Sequence, residues 1–145
     1  MPRPAQGLEP DETLVEHMTV AFRGSLLASI RGLALVSSRN RLKAFHAWAQ
    51  VAEAAGFPSD KPEMVLGVTE RRLMVWRPSF WFSRPSGVVG DVPIANVINA
   101  EVYRQGLAVV MAIGFTNGSY VEVESMRPRP MRRLRDAIRA QLATQ

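Results

Sequence analysis

The chain is predicted to fold as an α+β domain, on three observations. Apolar residues recur at helical spacing up to about residue 60 and alternate singly from Lys61 onward. The clearest strand covers residues 107–115: its odd positions, Leu107, Val109, Met111, Ile113 and Phe115, are large, and its even positions are smaller. After Pro128 and Pro130 the helical spacing returns, with Met131, Leu134, Ile138 and Leu142 in one stripe.

Composition sets the outer bounds. The chain has 145 residues, 47% hydrophobic and 21% charged, which suits one globular domain. It has no cysteine, which excludes disulfides, thiolate catalysis and cysteine-ligated zinc. Two histidines, His17 and His46, exclude a histidine-rich metal site, so neither metal nor cofactor is expected. The longest apolar stretch, residues 25–36, contains Arg31 and is too short to span a bilayer. Acidic residues stand where a secretory leader would need its apolar core, so the expected location is the cytoplasm.

The elements follow in order. Residues 1–10, with three prolines and one glycine, read as a flexible tail. Asp11 and Glu12 suit the start of a helix, with Leu14, Met18 and Phe22 on one face and Gly24 at its end. Residues 25–36 fit either a helix or a strand. Ser37 or Ser38 caps a further helix through Ala55, with Leu42, Phe45, Ala49 and Ala52 inward and Trp48 beside them. Gly56, Phe57 and Pro58 stop it. Residues 11–60 thus form a helical N-terminal extension packed on the core.

Residues 64–69 and 73–77 read as strands joined at Glu70 and Arg71, and residues 80–90 as a loop rich in proline and glycine. A strand over 98–104 turns Ala100 and Val102 one way. Residues 120–124 pair back on the strand ending at Phe115. A two-residue turn at Asn117-Gly118 would set its large apolar face against Glu122 and Glu124. A three-residue loop, with Gly118 left-handed, instead faces Ile113 to Val121 and Met111 to Val123. The three-residue loop is predicted.

Several segments resemble bacterial pleckstrin-homology-like (PH-like) and GRAM-like domains. Met64-Val-Leu-Gly-Val-Thr69-Glu-Arg-Arg72-Leu-Met-Val-Trp76 is similar to their opening hairpin, Gly90-Asp-Val-Pro93-Ile-Ala-Asn-Val97 to a middle segment, and Phe115-Thr-Asn-Gly118-Ser119 to a late hairpin. Glu70 stands where Asp is commoner. The resemblance implies a PH-like domain over residues 61–145: a strongly bent antiparallel sheet, or partial barrel, capped by the C-terminal helix. It also implies a binding module rather than an enzyme.

The net charge of +5 arises wholly in residues 61–145, with 12 basic and 7 acidic side chains. Phosphate loops of common spacing and a nucleophile elbow are absent from the sequence. Asp11/Glu12 read as a helix start and Glu122/Glu124 as an outward strand face. Arg71, Arg72, Arg77 and Arg84, with Phe80, Trp81 and Phe82, combine cations with aromatics, which suits a partner protein or an anionic membrane surface. A second basic group, Arg132, Arg135 and Arg139, lies on the terminal helix, with Asp136 expected to pair with Arg132 or Arg139. The leading expectation is therefore non-catalytic binding to a protein or, peripherally, to the inner membrane face. Nucleic-acid or nucleotide binding ranks second and a small enzyme third; a homo-oligomer is compatible with all three.

Overall fold

A computed structural model describes residues 7–25, 37–78 and 85–145. The order is β1 (Leu14–Phe22), α1 (Ser37–Ala55), β2 (Glu63–Thr69), β3 (Arg72–Pro78), β4 (Pro85–Pro93), a 3-10 turn (Ile94–Asn96), β5 (Val97–Gln105), β6 (Ala108–Phe115), β7 (Tyr120–Ser125) and α2 (Pro128–Ala143). The seven strands form one antiparallel sheet in the order β4-β3-β2-β1-β7-β6-β5. β4 and β5 are its edges, so the sheet is not closed. α2 lies against β5, β1 and β2, with Met131, Leu134 and Ile138 fully buried.

The first element differs from expectation: residues 14–22 are a strand, not a helix. Leu14, Met18 and Phe22 are four apart, a spacing that satisfies a helix stripe and one face of a strand equally. Val20 decides between them. It joins Met18 and Phe22 in the core, giving a period of two. A register shift between Leu14 and Glu16 turns Leu14 to the opposite face, so Leu14 does not share a face with Met18 and Phe22. β1 is also no extension: it is the central strand, opposite β2 along its length and β7 at Ala21 and Phe22.

α1 ends as expected. Gly56 is left-handed at φ 88°, its N–H donates to the Glu53 carbonyl (3.0 Å), and the Phe57 N–H donates to the Ala52 carbonyl (2.9 Å). Phe45, Ala52 and Ala55 are buried, and Trp48 donates its indole N–H to the Glu122 carbonyl at 2.8 Å. Leu42 is exposed, contrary to expectation, because it lies about 100° around the helix from that face. The rings form a continuous series, all buried but the half-buried Trp48: Phe22 and Phe45 (5.6 Å), Phe45 and Trp48 (6.0 Å), Trp48 and Phe57 (6.2 Å), Phe57 and Phe115 (6.5 Å).

Residues 85–90 form most of β4 instead of a loop. Proline and glycine are tolerated there because β4 is an edge, where one side needs no ladder. Gly90 has a positive reason: a Cβ on it would lie 2.6 Å from Pro58 Cβ. The β6–β7 loop is the three-residue one. Phe115 N–H donates to the Ser119 carbonyl, Gly118 has φ 89°, Ile113 faces Val121 and Met111 faces Val123. Leu107 leaves the strand for the two-residue turn after Gln105 and is exposed.

Two stability outcomes follow from this packing. Phe45→Ala should cost about 3–5 kcal/mol in denaturant unfolding, since the ring is buried between Phe22 and Trp48. Gly90→Ala should cost about 1–3 kcal/mol, because the Pro58 ring cannot rotate away.

Candidate functional site

The β2–β3 hairpin places Arg71 and Arg72 at its turn. Thr69 Oγ1 accepts from the backbone N–H groups of Arg71 (3.0 Å) and Arg72 (3.1 Å), which fixes the bend. Residues 7–13 run across the hairpin, so residues 7–10 of the expected tail are packed on it, and residues 1–6 lie outside the described residues. Leu8 and Leu14 pack on a small second core of Val65, Met74 and Trp76, on the face opposite the main core.

Glu12 fastens this strap. It was expected to begin a helix, but its carboxylate is fully buried. Oε1 accepts from Arg72 Nη2 (2.7 Å) and the Glu9 N–H (3.0 Å); Oε2 accepts from Arg72 Nε (2.9 Å) and Thr69 Oγ1 (2.7 Å). Arg72 also reaches Asp91 Oδ2 (2.5 Å) and the Gly7 carbonyl (2.7 Å). Foremost through the Arg72 hydrogen bonds, the Glu12 carboxyl is lowered from 4.5 to about 2, and the guanidinium is raised in turn. Arg71 pairs with Glu9 and, at 2.7 Å, with Asp11, whose carboxyl is lowered by that hydrogen bond. Arg77 pairs with Asp60 at 2.7 Å.

Of the first expected surface, then, Arg71, Arg72 and Arg77 all have carboxylate partners within the chain. Phe80, Trp81, Phe82 and Arg84 lie outside the described residues, as does most of the 25–36 segment.

The terminal helix divides its arginines. Asp136 pairs with Arg135 (2.9 Å) rather than with Arg132 or Arg139. Arg139 Nε donates to the Ala100 carbonyl at 2.8 Å, on edge strand β5. Arg133 lies 3.8 Å from Glu16. Arg132 is exposed and, like Arg127 and Arg129, has no carboxylate in ion-pair range among the described residues. Arg127 is the N-cap residue, prolines occupy the first turn, and that turn has no acid. Met126 beside them is 58% exposed. Arg127 and Arg129 were not among the expected basic residues; the signal for them is the Arg-Pro-Arg-Pro run, which excludes carboxylates from that turn.

Glu124, read as an outward residue, is buried, and it accepts the Gly24 N–H at 2.8 Å. Glu122 accepts the Tyr103 hydroxyl. Among the described residues no group of three or more His, Asp or Glu side chains could hold a metal ion. No helix among the described residues is long and apolar enough to cross a membrane. No protein-family model matches the chain, and no curated protein is detectably similar to it in sequence.

The latch gives a pH outcome with a fixed sign. The Glu12 carboxyl titrates at about 2 folded, against 4.5 ordinarily. Its stabilisation is complete above the higher value and drains away as pH falls toward the lower, on the order of 3 kcal/mol in all. Urea unfolding across pH 7 to 2 should show this loss. Glu12→Gln should cost about 3 kcal/mol or more at neutral pH and flatten the acid limb.

Proposed function

We propose that this chain is a non-catalytic binding module of PH-like or GRAM-like type, docking peripherally on an anionic membrane surface through the start of α2. The observation that carries the reading is the uneven pairing of the arginines. Those of the β2–β3 hairpin have carboxylate partners within the chain, whereas Arg127, Arg129 and Arg132 have none among the described residues. Their cations lie at the positive end of a helix dipole, which makes the patch more attractive to anions. Exposed Met126 adds an apolar side chain at the same place, and a basic patch with an apolar member suits the bilayer interface. The antiparallel strand order and the terminal helix on the sheet support the PH-like part of the reading.

Sedimentation with vesicles tests it. The chain should bind phosphatidylcholine vesicles containing phosphatidylserine, bind pure phosphatidylcholine far less, and weaken with added salt. At about 1 kcal/mol per arginine near an anionic leaflet, Arg129→Glu with Arg132→Glu should weaken binding more than tenfold, while Arg77→Glu should leave it nearly unchanged. Retention of duplex DNA by the same arginines, without vesicle binding, would put nucleic acid in place of the membrane. Binding to neither would refute the reading.

A further inference from the structure

Six of the seven methionines lie among the described residues, and they divide by exposure. Met18, Met64, Met74, Met111 and Met131 are buried, none more than 7% exposed, whereas Met126 is 58% exposed. A thioether is oxidised where an oxidant can reach its sulfur. Close packing denies that reach to the five buried side chains. Among the described residues, the chain thus offers one methionine to a soluble oxidant.

The position of Met126 gives that susceptibility a use. Met126 stands between Ser125, the end of β7, and Arg127, the N-cap residue of α2. The Ser125 hydroxyl accepts the Arg127 N–H at 3.0 Å, so the bend that carries Met126 is held without the thioether. Met126 belongs to neither apolar cluster of the fold. It can change polarity without unpacking the core, and it does so beside the arginines that begin α2.

We propose that oxidation of Met126 to its sulfoxide by peroxide releases the start of α2 from an anionic membrane surface. The inference rests on the docking function proposed for that patch. In the step, the thioether sulfur attacks one peroxide oxygen, and the S–O bond forms as the O–O bond breaks. The other oxygen leaves as water with both peroxide protons; sulfur loses two electrons and peroxide gains them. The sulfoxide is polar but uncharged. It gives up the apolar contact with the bilayer interface, while Arg127, Arg129 and Arg132 keep their attraction to the leaflet. Affinity therefore falls and its salt dependence stays. A thiol-dependent sulfoxide reductase takes the oxygen off as water, oxidising two thiols to a disulfide, so the release is reversible.

The full chain, treated with hydrogen peroxide, is mapped by peptide mass spectrometry and sedimented with phosphatidylcholine vesicles containing phosphatidylserine. Met126 should gain one oxygen well before any of the five buried methionines does. The oxidised chain should bind about five- to tenfold more weakly, the effect of losing part of a buried methionine side chain. Its melting temperature and the salt dependence of its binding should not change. Met126→Gln should bind as the oxidised chain does, and peroxide should leave the affinity of Met126→Leu where it began. Oxidation of a buried methionine ahead of Met126, or equal binding before and after oxidation, overturns this inference alone. Absence of binding by the unoxidised chain overturns the docking function and this inference with it.

Discussion

The Glu12–Arg72 pair holds two distant parts of the chain as one body. A buried carboxylate is costly without compensation, and here four hydrogen bonds satisfy both its oxygens. Its partners come from the strap itself, from the end of β2 and from the start of β3. The contact therefore fixes where the strap crosses the hairpin, and with it the placement of Leu8 and Leu14 over Trp76. Asp91 extends the network to β4, so the strap, β3 and β4 share one set of charges and β2 joins it through the Thr69 hydroxyl.

Arginine does three different jobs in this molecule. Arg72 is a latch inside an ion network. Arg139 satisfies a carbonyl on the outer side of β5, which leaves that edge less available for pairing with another chain. Arg127, Arg129 and Arg132, at the start of α2, have no carboxylate in range among the described residues. A count of charges along the chain cannot separate these uses, because each depends on which acid the fold brings near.

That difference marks how far the sequence was legible. Local rules read β2, β3, β5, β6, β7 and α2 well: β2 and β3 are short apolar runs joined by a tight turn, buried on both faces, and α2 keeps one helical period. The β6–β7 register was readable because one slip would have buried carboxylates against Met111 and Ile113. β1 was misread where a spacing of four fits two structures and a register shift turns Leu14 from the face of Met18 and Phe22. β4 was missed because glycine and proline are discouraged only where both sides of a strand are paired. The Glu12–Arg72 pair spans sixty residues, and no local pattern announces it. Leu42 was misplaced by a helix whose buried face is narrower than its apolar one.

The central place of β1 has a consequence for how the chain assembles. β1 leaves the ribosome first among the strands, yet its partner on one side starts about forty residues later and on the other about a hundred. The β1–β7 seam therefore cannot form until β7 has been made, and closing so long a loop slows folding. Until β2 follows, Met18, Val20 and Phe22 stand on a strand with two unsatisfied sides, and until β7 follows the end at Ala21 and Phe22 keeps one, the kind of segment that invites pairing with the wrong chain. The acidic residues just ahead of it, Glu9, Asp11 and Glu12, keep its leading end charged during that interval, before any of them has found its arginine.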